Sequence, residues 1–330
     1  MQTNPTLRIS EDTLKGFRRI NVDNGKIAFT LLPELGAKIH SLRDLRSDHE
    51  WLWTSDRLPL GKHPYGVSYT KYADNGGWDE CFPTVGACEY PLSPLEGTTL
   101  PDHGDVWSQP WETTTLHRND AIEIVSRVLA VAVPVQFTRT LKLAASDAKV
   151  TFNYAATNSA NHEVAFIWSA HPLFNIESGM RLRFPESARF NMYFAPEPTQ
   201  LPETRGLRWP FTIKRGATPV SLDPLPGPDA GVAFKVWSDA LHEGWAVLSG
   251  RNGELQLRFD PSELPQVALW LNAGGWTGIG GAPYYNLALE ACIGAQDLLE
   301  EAVTRYHNFG ILAPFETRRW SLTVALTAYK

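Results

Sequence analysis

The chain is poor in cysteine, has no basic block and contains no long apolar run, and each shortage removes a class of explanation. Three cysteines, Cys81, Cys88 and Cys292, are too few for a disulfide framework and lack the spacing of a structural zinc site. They fit a reducing compartment, so a cytoplasmic location is expected. With 36 acidic and 30 basic side chains the formal charge is -6, and no stretch is strongly basic, so nucleic acid is not an expected partner. No apolar run reaches the length of a membrane span, so no membrane association is expected. The opening MQTNPTLRIS has no positively charged segment leading into an apolar one, unlike a secretion signal. Helical periodicity is also sparse. QDLLEEAVTRY, Gln296 to Tyr306, is the main candidate for a short helix.

What the chain does have is hydrophobic residues, 43% against 20% charged, enough to bury a large core. Apolar and polar residues alternate with period two in many short stretches separated by Gly, Pro, Asn and Asp, the pattern of strands with one packed face. In VQFTRTLKL one face carries Val135, Phe137, Leu141 and Leu143, with Arg139 as its exception. Trp320, Leu322, Val324 and Leu326 alternate with polar or small residues in the final segment. Two stretches, 91–111 and 195–209, read as long loops crossing a binding surface. The expected architecture is all-β, a large antiparallel β-sandwich formed by residues 1–330 as a single domain.

Four segments concentrate chemically useful side chains. In YADNGGWDECFP, Asp74, Asn75, Trp78, Asp79 and Glu80 surround the Gly76-Gly77 pair. Trp78 is a candidate platform for a sugar ring, with Asp79 and Glu80 accepting hydroxyl hydrogen bonds. The equally weighted alternative is a turn anchored by Trp78 in the core. PDHGDVWSQPW places His103 near Trp107, suited to polar and ring contacts or to a structural role inside the loop. In WSAHPLFNI, His171 ends a strand just before Pro172, which would hold the imidazole at a sheet rim. In YNLALEAC, an extended phase puts Asn286, Ala288, Glu290 and Cys292 on one face, where small Ala288 leaves room for a ligand beside the carboxylate. An ordinary salt bridge is the alternative for Glu290. Lys71 is a further candidate, should the sugar be charged.

WSAHPLFNI resembles the histidine-bearing strand of the aldose 1-epimerase, or galactose mutarotase, superfamily, and NLALEACIG resembles its late glutamate-bearing strand. PDHGDVW resembles the earlier histidine-glycine segment, and with PELGAKIHSLRD (33–44) the resemblance spans most of the chain in the expected order. The resemblance implies the galactose mutarotase-like supersandwich fold. It also implies that His171 protonates the sugar ring oxygen, Glu290 is the general base at the anomeric hydroxyl, and His103 positions the substrate. Asp239 is the candidate for a mid-chain sugar-binding aspartate. The expected activity is exchange of α and β anomers of a monosaccharide or modified sugar, with no cofactor and no metal. Two alternatives stay open: a noncatalytic carbohydrate-binding or regulatory module, and a carbohydrate hydrolase or lyase, which product analysis would reveal.

Overall fold

The computed structural model describes residues 7–329. Residues 1–6, part of the opening segment that does not resemble a secretion signal, lie outside the described residues. Among the described residues no helix is long and apolar enough to cross a membrane.

Two large sheets stack on each other. One has eleven strands and the other eight, and the pairings between their named strands are antiparallel, as the period-two pattern predicts. The all-β antiparallel sandwich is therefore the observed architecture. The final strand, Thr317–Thr327, lies in the middle of the eight-stranded sheet between Lys149–Asn158 and Gly253–Phe259, and its Trp320, Leu322, Val324 and Leu326 are buried. Segment 296–306 is helical over Leu299–Glu301 and Ala302–Tyr306.

Arg139, the exception on its apolar face, is wholly buried between the sheets. Its Nη1 donates to Glu80 Oε1 at 2.9 Å, across from the eight-stranded sheet to the eleven-stranded one. Tyr154 Oη (3.0 Å) and Trp168 Nε1 (3.0 Å) also donate to that carboxylate. A charge at this depth is tolerable only with such partners. Glu80 is thus a core ion-pair residue and does not reach a ligand. Trp78, on the same face of its strand, is fully buried and stacks on Phe152 of the other sheet at 4.4 Å. Both expectations of direct sugar contact are corrected by this placement: alternation along Trp78–Cys81 turns Trp78 and Glu80 inward and Asp79 outward.

Candidate functional site

Five neighbouring strands of the larger sheet build the site on the face turned away from the second sheet: Trp78–Cys81, Trp168–Phe174, Tyr285–Ile293, Gln266–Ala273 and Val232–Ser238. Their register makes a row. Asp79 pairs with His171; Ser169 pairs with Cys292 and Leu173 with Ala288, which sets His171 opposite Glu290; and Glu290 pairs with Ala268, which pairs with Trp237. Residues more than a hundred apart in sequence thus come within side-chain reach. The expected face of Asn286, Ala288, Glu290 and Cys292 is the one observed, and Leu287, Leu289 and Ala291 lie in the main core.

Above this row lies a cavity of about 290 Å3, near the lower end of the range for small-molecule sites. His103, His171 and Glu290 all line it, together with Lys235, Asp297 and Asp74, and Trp270 and Trp276 add aromatic wall. His103 arrives from the long loop. The chain turns there through left-handed backbone at His103 (φ 62°) and Gly104 (φ 76°); a Cβ on Gly104 would collide with the carbonyl of Phe82, so only glycine suits this position. Asp102 Oδ1 lies 2.8 Å from His103 Nδ1. The His103 ring stacks on Tyr69 at 4.0 Å and meets His171 edge-on at 4.8 Å.

Electrostatics divide these groups. Burial, aided by the nearby Lys235 ammonium, pushes His171 well below its usual value, so it is neutral at pH 7; its Nδ1 has no protein partner. Burial opposes charge on Asp102, but its bonds with His103, Ser68 and the Thr70 amide outweigh this and hold its carboxyl low. Lys235 Nζ sits 3.2 Å from Glu290 Oε2 and 2.8 Å from Asp297 Oδ1. Burial works against the ammonium, and the two carboxylates overcome it and raise its pKa. Ser169 Oγ donates to Glu290 Oε2 at 3.1 Å. Burial lifts Asp74 to about 6.

The remaining candidates fall elsewhere. Asp79, at the end of the row, is not part of the cavity lining; it accepts from Tyr69 Oη at 2.8 Å and from Lys38. Trp107 packs edge-on against Tyr69 and donates from Nε1 to the Asp102 carbonyl at 2.9 Å; it supports the wall from behind. Lys71 is exposed on a groove beside Trp276, outside the main cavity. Asp239 lines a different cavity. Sequence reasoning missed Lys235, Asp297, Asp102 and Tyr69. Only Lys235 left a signal, as a lone charge inside the apolar strand VAFKVWS.

The family profile described as aldose 1-epimerase matches residues 18–193, more than half of the chain. The chain belongs to the aldose 1-epimerase family. His103 and His171 lie inside the matched residues, whereas Lys235, Glu290 and Asp297 lie beyond them. None of the curated proteins matches this sequence. Solved structures show the same fold. A Klebsiella pneumoniae subsp. pneumoniae protein provisionally named an aldose 1-epimerase is 15% identical with a TM-score of 0.68, over 96% of this chain and 83% of that one. A galactose mutarotase-like protein from Clostridium acetobutylicum is 14% identical with a TM-score of 0.65, over 98% and 99%. A TPR-domain containing protein from Parabacteroides distasonis gives 14% and 0.65, and this chain spans only 48% of its length. At such identities the likeness is one of fold.

Proposed function

We propose that this chain, acting as one carbohydrate-binding unit over residues 1–330, interconverts the α and β anomers of an aldose. The observation that carries the reading is the register opposition of Glu290 and His171 beneath one cavity: an anionic acceptor and an imidazole donor flanking a space of sugar size. Glu290 removes the proton of the C1 hydroxyl. The bond from C1 to the ring oxygen breaks, its electron pair passes to that oxygen, and the oxygen takes a proton from His171. The open aldehyde turns about its C1–C2 bond, the ring oxygen adds to the other face of C1, and both protons return. A neutral imidazole suits this role, because its N–H can stabilise an oxygen that is becoming an alkoxide. His103, oriented by Asp102, holds a substrate oxygen, and Trp270 and Trp276 offer ring surface.

The test starts from single, freshly dissolved anomers of a panel of neutral, acidic, phosphorylated and sulfonated aldoses and follows the approach to equilibrium by NMR. The protein raises the first-order rate and leaves the final ratio unchanged. Folded Glu290→Gln and His171→Asn variants lose on the order of 100-fold to 10,000-fold in rate while sugar affinity, measured separately, is retained. Absence of exchange across the panel with binding intact would replace the reaction by a binding-module reading.

A further inference from the structure

Segment 73–77, between the short helix Tyr69–Tyr72 and the strand Trp78–Cys81, brings one more carboxylate to the cavity. Its backbone is pinned from both sides. The Asp74 amide donates to Tyr69 O at 3.0 Å, Ser55 N donates to Asn75 O at 3.0 Å, and Gly77 N donates to Trp53 O at 2.8 Å. Gly76 and Gly77 turn through left-handed backbone (φ 82° and 81°), and a Cβ there would meet the carbonyl of Trp53 or of Ile39, so the turn needs glycine. Asp74, held in this way, is 7% exposed and lines the cavity. Its Oδ1 has no donor among the described residues. Burial lifts the carboxyl to about 6, with no hydrogen bond to offset it. With Oδ1 turned into the protein, Oδ2 is the oxygen left to meet whatever fills the cavity. A buried carboxylate in this state is costly unless something satisfies it.

The other charges around the cavity are already committed. Asp102 is bonded by His103, Ser68 and Thr70, and Glu290 and Asp297 share Lys235. Lys38, which acts on Asp74 from outside the lining, donates to Gly76 O at 2.7 Å and to Asp79. The lining thus carries four carboxylates, those of Asp74, Asp102, Glu290 and Asp297, against the single ammonium of Lys235. Negative charge exceeds positive even with His103 counted as a cation. No cation of the lining is free to receive a phosphate, sulfonate or carboxylate, and an anion beside Asp74 is repelled. Tyr193, Trp270 and Trp276 add aromatic wall, whose ring faces favour a cation over an anion.

We propose that Asp74 receives the ammonium group of an amino aldose and thereby selects the substrate of this site. The proposal rests on the anomer-exchange reading, which puts C1 at Glu290 and His171 and so engages a different carboxylate from the one that takes the ammonium. A charged hydrogen bond from the sugar gives Asp74 the partner that the protein withholds, in surroundings from which water is largely excluded. An aldose bearing only hydroxyls leaves that charge uncompensated. A phosphorylated or sulfonated aldose adds to it.

The experiment measures binding to the full chain by calorimetry, with anomer exchange followed in parallel by NMR. The ligands are glucose and galactose, their 2-amino, 3-amino and 6-amino deoxy derivatives, the N-acetylated forms of these, and the two 6-phosphates. At pH 7 Asp74, at about 6, is mostly ionised, and an amine in the α-amino range of about 8 is mostly protonated. At least one amino aldose binds roughly tenfold or more tightly than its neutral parent, the scale of one hydrogen bond between charged groups. N-acetylation, which removes the charge, abolishes that preference. Asp74→Asn keeps the shape, removes a penalised charge and so remains folded, and it brings the ratio of amino to neutral affinity to within about twofold. The proposal is overturned if no amino aldose exceeds its parent, if the preference survives in Asp74→Asn, or if a 6-phosphate binds more tightly than its parent sugar. Exchange of neutral anomers without any amino preference upholds the reaction and overturns the role of Asp74. An Asp74-dependent preference without exchange of any sugar upholds the ammonium site and overturns the reaction alone.

Discussion

Lys235 reaches across an intervening strand to Glu290: their strands flank Gln266–Ala273, and Nζ lies 3.2 Å from Oε2. The residue beside Glu290 on the intervening strand is Ala268, whose small side chain leaves the path open. Lys235 also holds Asp297 at 2.8 Å, so one buried ammonium serves two carboxylates.

Lys235→Met should therefore be costly out of proportion to its size. It leaves Glu290 and Asp297 without their shared cation, and breaking a buried pair from one side typically costs about 3–5 kcal/mol. Urea denaturation measures this. Adding Asp297→Asn to Lys235→Met removes one stranded charge and should recover part of the loss. No recovery would mean that the ammonium contributes little to holding the carboxylates.

The second prediction separates structure from ligand contact at Glu80. Arg139 and Glu80 are both wholly buried and bonded at 2.9 Å, with Glu80 on the sheet face opposite the cavity. Arg139→Met should destabilise the protein by about 3–5 kcal/mol, since Glu80 keeps only Tyr154 and Trp168. Saccharide affinity at a temperature where the variant is folded should be unchanged. A selective loss of affinity without a loss of stability would return Glu80 to the binding surface.

These two cases show how far the sequence can be read. Alternation identified the strands and correctly put Asn286 and Glu290 on one face, because that side of the strand differs chemically from the leucine side. It could not orient Trp78–Cys81, where all four residues are buried: period two separates two faces but says nothing about which faces the core when neither is solvated. The opposition of His171 and Glu290 depends on pairing between strands over a hundred residues apart, which local patterns do not encode. Arg139 and Lys235 were visible as lone charges in apolar strands. Their partners, Glu80 and Asp297, become evident only through the fold.

Asp74 should show a pH-dependent cost. Burial raises its carboxyl from 3.8 to about 6, so between those values the folded chain holds a proton that the unfolded chain releases. Stability attributable to Asp74 is present at low pH and declines as pH rises through about 6. Asp74→Asn should thus stabilise the protein at pH 8 by on the order of 1–3 kcal/mol and have little effect at pH 4. Equal effects at both pH values in chemical denaturation would show that its ionisation is not penalised.

Asp102→Asn tests whether the orientation of His103 matters apart from its presence. Asp102 takes His103 Nδ1 at 2.8 Å and is itself held by Ser68 Oγ at 2.8 Å and the Thr70 amide at 3.3 Å, so the carboxylate is fixed before it fixes the imidazole. Asparagine keeps the shape and removes the charge. Hydrogen bonds to charged groups contribute about 1.5–3 kcal/mol, so the rate of anomer exchange should fall roughly 10-fold to 100-fold. A purely structural role for Asp102 would lower the melting temperature and leave the pH profile of the remaining activity as it was. A positioning role predicts the reverse, a nearly unchanged melting temperature and an altered pH profile, because the imidazole loses the partner that sets which nitrogen carries its proton. Nitrogen NMR of the His103 ring, before and after the substitution, reads that tautomer directly, and an unchanged tautomer with full activity would remove Asp102 from the site.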